Sequence, residues 1–242
     1  MSVLRRLRHL HDFPELVNVE HGFDKWWEKS PKEERIFEDR FRRLHAARRR
    51  VEVTVPGDLR AYVNGNQHDA TILNHSREGD RFKLTSTDMS IAMLAGYGFG
   101  VPWPNCLFPF DLIFEGVTYV GWRSVDKKEG LSWMPPLAVS ENEPSTWWMD
   151  TFLEPEQIGV RWALLFRHTY RNRYSRGMLL VEAASMRVVE RQRQVWIDRV
   201  GSASLPIFDE YQAQRNENTL TVFEYREKYF REHGLPIQES EK

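Results

Sequence analysis

The residues of this chain that could grip a ligand are concentrated in two places. The first is DATILNHSREGDRFKL at 69–84, where Ala70-Ile72 and Phe82-Leu84 alternate around a polar centre holding Asn74, Ser76 and Gly79. Asn and Ser side chains fold back on the local backbone and Gly supplies φ > 0, so these residues build a hairpin turn by themselves. They also offer an amide, a hydroxyl and a point of close backbone approach to a bound molecule. The second place is 161–176. Arg167, Arg171, Arg173 and Arg176 interleave there with Tyr170 and Tyr174, and Arg161 and Trp162 extend the patch. Guanidinium groups on phosphates and rings stacked on exposed bases would make it a nucleic-acid or partner contact. Its plain reading is a solvated strand and loop, with the arginines paired to nearby carboxylates.

Other chemistry is thinly represented. The eight histidines include no HExxH pair and have no cysteine cluster beside them. His68, Asp69 and His75 flank one hairpin within reach of Asp80 or Asp88, and two histidines with a carboxylate could hold a metal. Exposed turn histidines ordinarily hold none, and no metal or cofactor is assigned. No GxSxG nucleophile elbow, P-loop or GxGxxG fingerprint occurs, and GYGFG at 96–100 shares only glycine content with the last. The chain therefore reads as non-enzymatic. Trp26-Trp27, Trp103, Trp133 and Trp147-Trp148 lie in segments that look like loop, cap or linker. They serve either as packing between segments or as anchors for a protein partner, where Trp and Arg are enriched.

The elements that must position these residues follow from periodicity. Residues 1–49 read as helical: Ser30-Pro31-Lys32-Glu33 is a capping box with Pro at the first helical position. Ile36, Phe37, Phe41 and Leu44 continue it as one apolar stripe to about Arg48. The period then changes to two at Val51-Val53-Val55, a half-buried strand closed by Pro56-Gly57. Leu59 to Val63 reads as a second extended run, ended by the tight-turn sequence Asn64-Gly65-Asn66. The hairpin at 69–84 follows, then a Gly- and Pro-rich loop at 95–105. One or two strands are expected at 107–122, broken at Glu115-Gly116, and a polar turn at 126–130 precedes Leu131-Ser132-Trp133-Met134. PPLAVSENEPS at 135–145 is the candidate linker. Beyond it, 160–170 reads as strand, 178–200 fits strand or helix equally, and 219–233 is a helix capped by Gly234.

Composition bounds the partners. With 242 residues, 41% apolar and 29% charged, the chain is an ordinary globular protein large enough for a real core. A net charge of −1 gives no general attraction to nucleic acid or anionic membrane, so such binding needs a local patch. Cys106 is the single cysteine, which excludes an intrachain disulfide and fits the cytosol. No apolar run approaches the roughly 20 residues that span a bilayer. MSVLRRLRHLHDF lacks a following apolar region and is not a secretory signal. Asp12, Glu15 and Glu20 argue against a mitochondrial presequence.

The order and spacing of several of these features resemble the PilZ domain. Arg48-Arg49-Arg50 leads into the strand at 51–55, Asn74-x-Ser76-x-x-Gly79 follows on a hairpin, and Val117-Thr118-Tyr119-Val120-Gly121-Trp122 comes later. The resemblance covers about residues 46–135. It implies a six-stranded antiparallel barrel over 50–135, between a helical segment at 1–49 and an α+β region at 136–242. It also implies cyclic di-GMP as ligand: an RxxxR motif ahead of the first strand grips phosphates and guanine edges, and (D/N)xSxxG contacts the second guanine. Asn74, Ser76 and Gly79 match the second motif. With Arg50 as the second arginine of the first motif, its partner position holds Ala46, and Arg48 and Arg49 lie beside it. A mainly β, cytoplasmic regulatory protein is the expectation. It would be either a cyclic di-GMP effector or a member that has lost the nucleotide and serves as a protein-interaction platform. Two other functions fit the same residues: an assembly or inhibitory subunit of a phage, mobile-element or other multiprotein complex, and a nucleic-acid accessory protein using 161–176.

Overall fold

The computed structural model describes residues 35, 59, 62–63, 67–103, 106–126, 130–139, 145–153, 159–170, 173–217, 227–228, 230–232 and 234. The expected helix at 31–48, the strand at 51–55 and the turn at 64–66 lie outside these residues. What is described is a mainly antiparallel sheet with a few helices. Nine strands form it: β1 Thr71–Glu78, β2 Arg81–Thr87, β3 Pro109–Glu115, β4 Tyr119–Asp126, β5 Gly130–Trp133, β6 Ser145–Leu153, β7 Val160–Tyr170, β8 Arg173–Ala183 and β9 Ser185–Glu190. They lie side by side in the order β5-β4-β8-β7-β6-β1-β2-β3-β9. The strands expected before residue 135 thus share one sheet with β6 to β9.

The sheet curls around the main apolar core, so strands far apart in its order meet across the interior. Phe114 of β3 stacks at 5.5 Å on Trp162 of β7. His75 of β1 lies 4.8 Å from Trp122 of β4, and Trp122 meets Phe166 of β7 edge-on at 5.6 Å. Large rings suit such a core because each removes much apolar area from water and tolerates tilted packing. Trp147, expected outside the core strands, is fully buried in it.

Two strands lack the usual alternation because both their faces are covered. Trp162 and Leu164 of β7, opposite Val181 and Leu179 of β8, point into the core. Ala163 and Leu165, opposite Leu180 and Met178, face the other way and are buried too. A strand buried on both sides reads as a continuous apolar run. That is why MLLVEAA left strand and helix open, whereas 178–200 resolves into β8, β9 and a helix. Gly177 of β8 sits opposite Phe166, where a Cβ would overlap the aromatic ring. Gly177→Ala is therefore expected to cost about 1–3 kcal/mol by overpacking, read as a lower urea midpoint with unchanged slope.

The helices gather at one side around a second apolar cluster. Helix α1 (Met89–Met93) passes into a π-helical turn at Leu94–Gly98, within the segment expected as an irregular loop. Helix α2 (Gln192–Arg199), a short 3-10 turn at Ser202–Ser204 and α3 (Leu205–Glu217) follow β9. Trp196 is the centre, with Phe99, Phe108 and Phe208 at 5.2, 5.9 and 5.4 Å. Phe230, from the expected C-terminal helix, is buried in the same cluster. Residues 219–226, 229 and 233 of that helix lie outside the described residues. Gly234 has φ +64°, as a glycine helix cap requires.

A buried polar network joins the two clusters. Asp88 caps α1 by accepting the N–H groups of Ser90 and Ile91. The Gln192 amide donates to Asp88 Oδ2 and to the Tyr62 hydroxyl, both at 3.1 Å, and Tyr62 donates to Glu190 at 2.6 Å. The sequence predicts an extended run from Leu59 to Val63. Instead the Tyr62 N–H bonds to the Leu59 carbonyl at 2.9 Å, a turn that places Leu59, Tyr62 and Val63 in the main core. Part of the candidate linker at 135–145 packs inward. Leu137 is buried in the main core, and its carbonyl accepts from His75 Nε2 at 2.6 Å.

Candidate functional site

The polar centre of 69–84 forms less turn and more strand than its composition suggests. Glu78 pairs with Arg81, so only Gly79 and Asp80 make the turn. Gly79 has φ +59°, the first central position where a II′ hairpin turn requires glycine. Asn74 and Ser76 stand in β1 itself. A bulge between Ile72 and Asn74 resets which residues face which way. Asn74 Oδ1 accepts the next residue's N–H at 2.8 Å, which leaves the amide NH2 as its group for a ligand. His75 turns to the core, so Asn74, Ser76 and Glu78 share the opposite face.

Register places further groups on that face. Asn74 lies opposite Thr85, and Thr85 opposite Asp111; Ser76 lies opposite Lys83, and Lys83 opposite Ile113. Asp111 and Ile113 in turn pair with Val189 and Arg187 of β9. At about 4.8 Å per strand, Asn74 and Asp111 are about 10 Å apart. Asp111 is buried and accepts from the Thr85 hydroxyl at 2.6 Å and from Arg191 Nη2 at 2.8 Å. The Arg191 side chain remains 47% exposed. It is thus a half-exposed guanidinium held by one edge, with its remaining donors open to an anion. Arg187 pairs with Glu115 at 3.3 Å on the same face. Sequence reasoning missed these partners. Lys83 and Thr85 carried a signal, since they alternate with Phe82 and Leu84. Arg191 carried none, because 80 residues separate it from Asp111. Arg48, Arg49 and Arg50 lie outside the described residues.

The second sequence candidate divides. Trp162 is fully buried, and its indole N–H donates to Asp150 at 3.1 Å. Arg161 is 6% exposed and pairs with Glu182 at 3.1 Å. Neither is available for stacking or phosphate contact, so the patch does not begin at 161. Burial has the physical advantage here: an indole in the core removes far more apolar area from water than it would at the surface. Tyr170 and Arg173 face each other at the end of the β7/β8 hairpin, with Thr169 opposite Tyr174 and Arg167 opposite Arg176. Arg171 lies outside the described residues.

The supposed metal set is also dispersed. His68 pairs with Asp69 at 3.0 Å on the surface, His75 bonds to Leu137, and Asp88 caps α1. Among the described residues no group of three or more His, Cys, Asp or Glu is placed to hold a metal ion. Burial pushes the Cys106 thiol pKa up, against the lowering effect of Arg199. The thiol donates to the Val101 carbonyl at 3.1 Å, as a structural S–H group does. No helix among the described residues is long and apolar enough to cross a membrane. Compared with known proteins, the chain matches no protein-family model. No curated protein and no solved structure matches it either.

Proposed function

We propose that this protein is a non-catalytic cytosolic regulator, a PilZ-like module that takes cyclic di-GMP on the sheet face of Asn74 and Ser76. The observation that carries this reading is the shared face. An amide and a hydroxyl on β1, the Lys83 ammonium on β2 and the Arg191 guanidinium, held by Asp111 of β3, lie on one face, with Asn74 and Asp111 about 10 Å apart. Guanine edges call for the first two groups and phosphates for the last two. The curl of the sheet supports the barrel part of the reading, since β1 meets β4 and β3 meets β7 across the core. Arg191 offers a cation where the arginine motif ahead of residue 51 is incomplete.

Calorimetry with cyclic di-GMP tests the proposal. Wild type gives a saturable heat, and Asn74→Ala weakens binding about tenfold, the equivalent of about 1.4 kcal/mol. No heat from the wild type removes the nucleotide and leaves the sheet as a protein-interaction platform.

A further inference from the structure

Strand β9 ends the sheet, pairing with β3 on one side. Ser185, Arg187 and Glu190 are exposed and Val188 and Val189 half-buried, so solvent reaches the strand along its length. The ladder fixes which backbone groups lie on the open side. Pro109 has no N–H, so its pairing with Thr87 is a non-hydrogen-bonded one, flanked by the Asp88 N–H on the Phe108 carbonyl at 2.8 Å. Bonded and non-bonded pairs alternate along an antiparallel ladder. Phe110, Leu112 and Phe114 therefore bond β2, while Asp111, Ile113 and Glu115 bond Val189, Arg187 and Ser185 of β9. The Glu115 carbonyl does point that way, accepting the Ala184 N–H at 3.0 Å. The N–H and C=O groups of Met186, Val188 and Glu190 are thus directed to the edge.

Strand edges are ordinarily blunted by charge, proline or a bulge. Strand β9 pairs with β3 through all six residues without a register shift, and none of them is proline. Its two charges are engaged within the chain: Arg187 by Glu115 at 3.3 Å, and Glu190 by the Tyr62 hydroxyl at 2.6 Å. The edge is also complementary to itself. Two copies of β9, run antiparallel about a twofold axis at Val188, set Val188 opposite its own copy and Met186 opposite the copy's Glu190. All three outward residues then exchange backbone bonds. Arg187 meets the copy's Val189. Moving the axis to residue 187 or 189 forfeits a bonded pair and sets Arg187 against the copy's Arg187 or Arg191, and like charges directly opposite destabilise a pair. One register satisfies both the backbone and the charges.

We infer that β9 is the self-association edge of this protein, joining two copies into one antiparallel sheet about a twofold axis at Val188. Sedimentation velocity over a range of protein concentrations shows a reversible dimer. Val188→Pro removes an N–H that faces the second copy and not β3, a place where an edge strand accepts proline. It weakens the dimer at least about tenfold, the equivalent of about 1.4 kcal/mol. Val188→Ala keeps that N–H and keeps the dimer, and both variants melt cooperatively. Covalent capture tests the register on folded protein. Positions 187 and 189 of opposite copies lie about 4.5 Å apart in a non-bonded pair, inside disulfide range. Arg187→Cys and Val189→Cys proteins, mixed and oxidised, therefore give a linked dimer, and neither links to itself; Cys106 is buried and does not compete. A wild-type monomer at millimolar concentration overturns the inference and leaves the edge to a strand of another protein. So does a Val188→Pro protein that dimerises like wild type, or Arg187→Cys linking to itself, which would place the contact on another surface or in another register.

Discussion

Asp150→Ala is expected to lower the unfolding free energy by about 3–5 kcal/mol, enough to consume much of the stability of a typical domain. Asp150 is 1% exposed in the middle of the main core. Its two carboxylate oxygens accept the indole N–H groups of Trp147 at 3.2 Å and Trp162 at 3.1 Å. The two rings are themselves 5.3 Å apart, edge to face. The arrangement depends on a bulge: Trp148 is the extra residue between Trp147 and Met149, so Trp147 and Asp150 face the core together. Truncation to alanine leaves two buried donors without an acceptor, each costing about 1–3 kcal/mol, and adds a small cavity. Asp150→Asn keeps one acceptor oxygen and turns an NH2 on the other indole, so its loss should fall between wild type and alanine. Urea unfolding followed by tryptophan fluorescence measures both. An alanine variant as stable as wild type would show that the indoles find other acceptors.

The second large effect is expected at the other cluster. Trp196→Ala should cost about 3–5 kcal/mol, the range for deleting a fully buried large aromatic. Trp196 is packed by three phenylalanine rings, and its N–H donates to Ser204 Oγ at 2.8 Å. Ser204 Oγ in turn donates to the Gly201 carbonyl at 2.7 Å, fixing the turn between α2 and α3. The loss should be local first. Hydrogen exchange in α2 and α3 is expected to accelerate well before exchange in β2 and β3, whose ladders belong to the other core. Trp196→Phe keeps the ring contacts and loses the hydrogen bond, so its cost should be near 1 kcal/mol more than that of lost area alone. Equal acceleration in the sheet and the helices would mean that the two clusters unfold as one unit, coupled through Asp88, Gln192 and Tyr62.

Where one face of a strand is covered and the other open, the chain could be read directly. The hairpin at 69–84 was legible because Phe82 and Leu84 alternate with Lys83 and Thr85, and because glycine is needed at residue 79. The break between β3 and β4 was legible at Glu115-Gly116, where Gly116 takes φ +64°. The mainly antiparallel character followed from such runs. Legibility failed where burial removed the contrast, in β8, and where a bulge changed the facing, at Trp147 and Asn74; β7 could still be read as a strand at 160–170. It failed again at 135–145, whose Pro and Ser composition gave no sign that Leu137 would enter the core.

The sequence alone determined which residue types stand at 74, 76 and 79, that a tight turn joins two strands there, and that a single cysteine forms no intrachain disulfide. Those properties are local: they depend on backbone preference and on neighbours a few positions away. Only the tertiary structure decided that Asn74 and Ser76 face away from the core, that His75 between them anchors Leu137, and that Lys83 and Arg191 share their face. It also decided that Trp162 and Arg161 belong to the interior and that β9 stands at an edge of the sheet. The physical reason is the same in each case. Which way a strand residue points, and what lies opposite it, is set by register, bulges and the curl of the sheet. These are fixed by burial summed over the whole core, and no short stretch of sequence carries that sum.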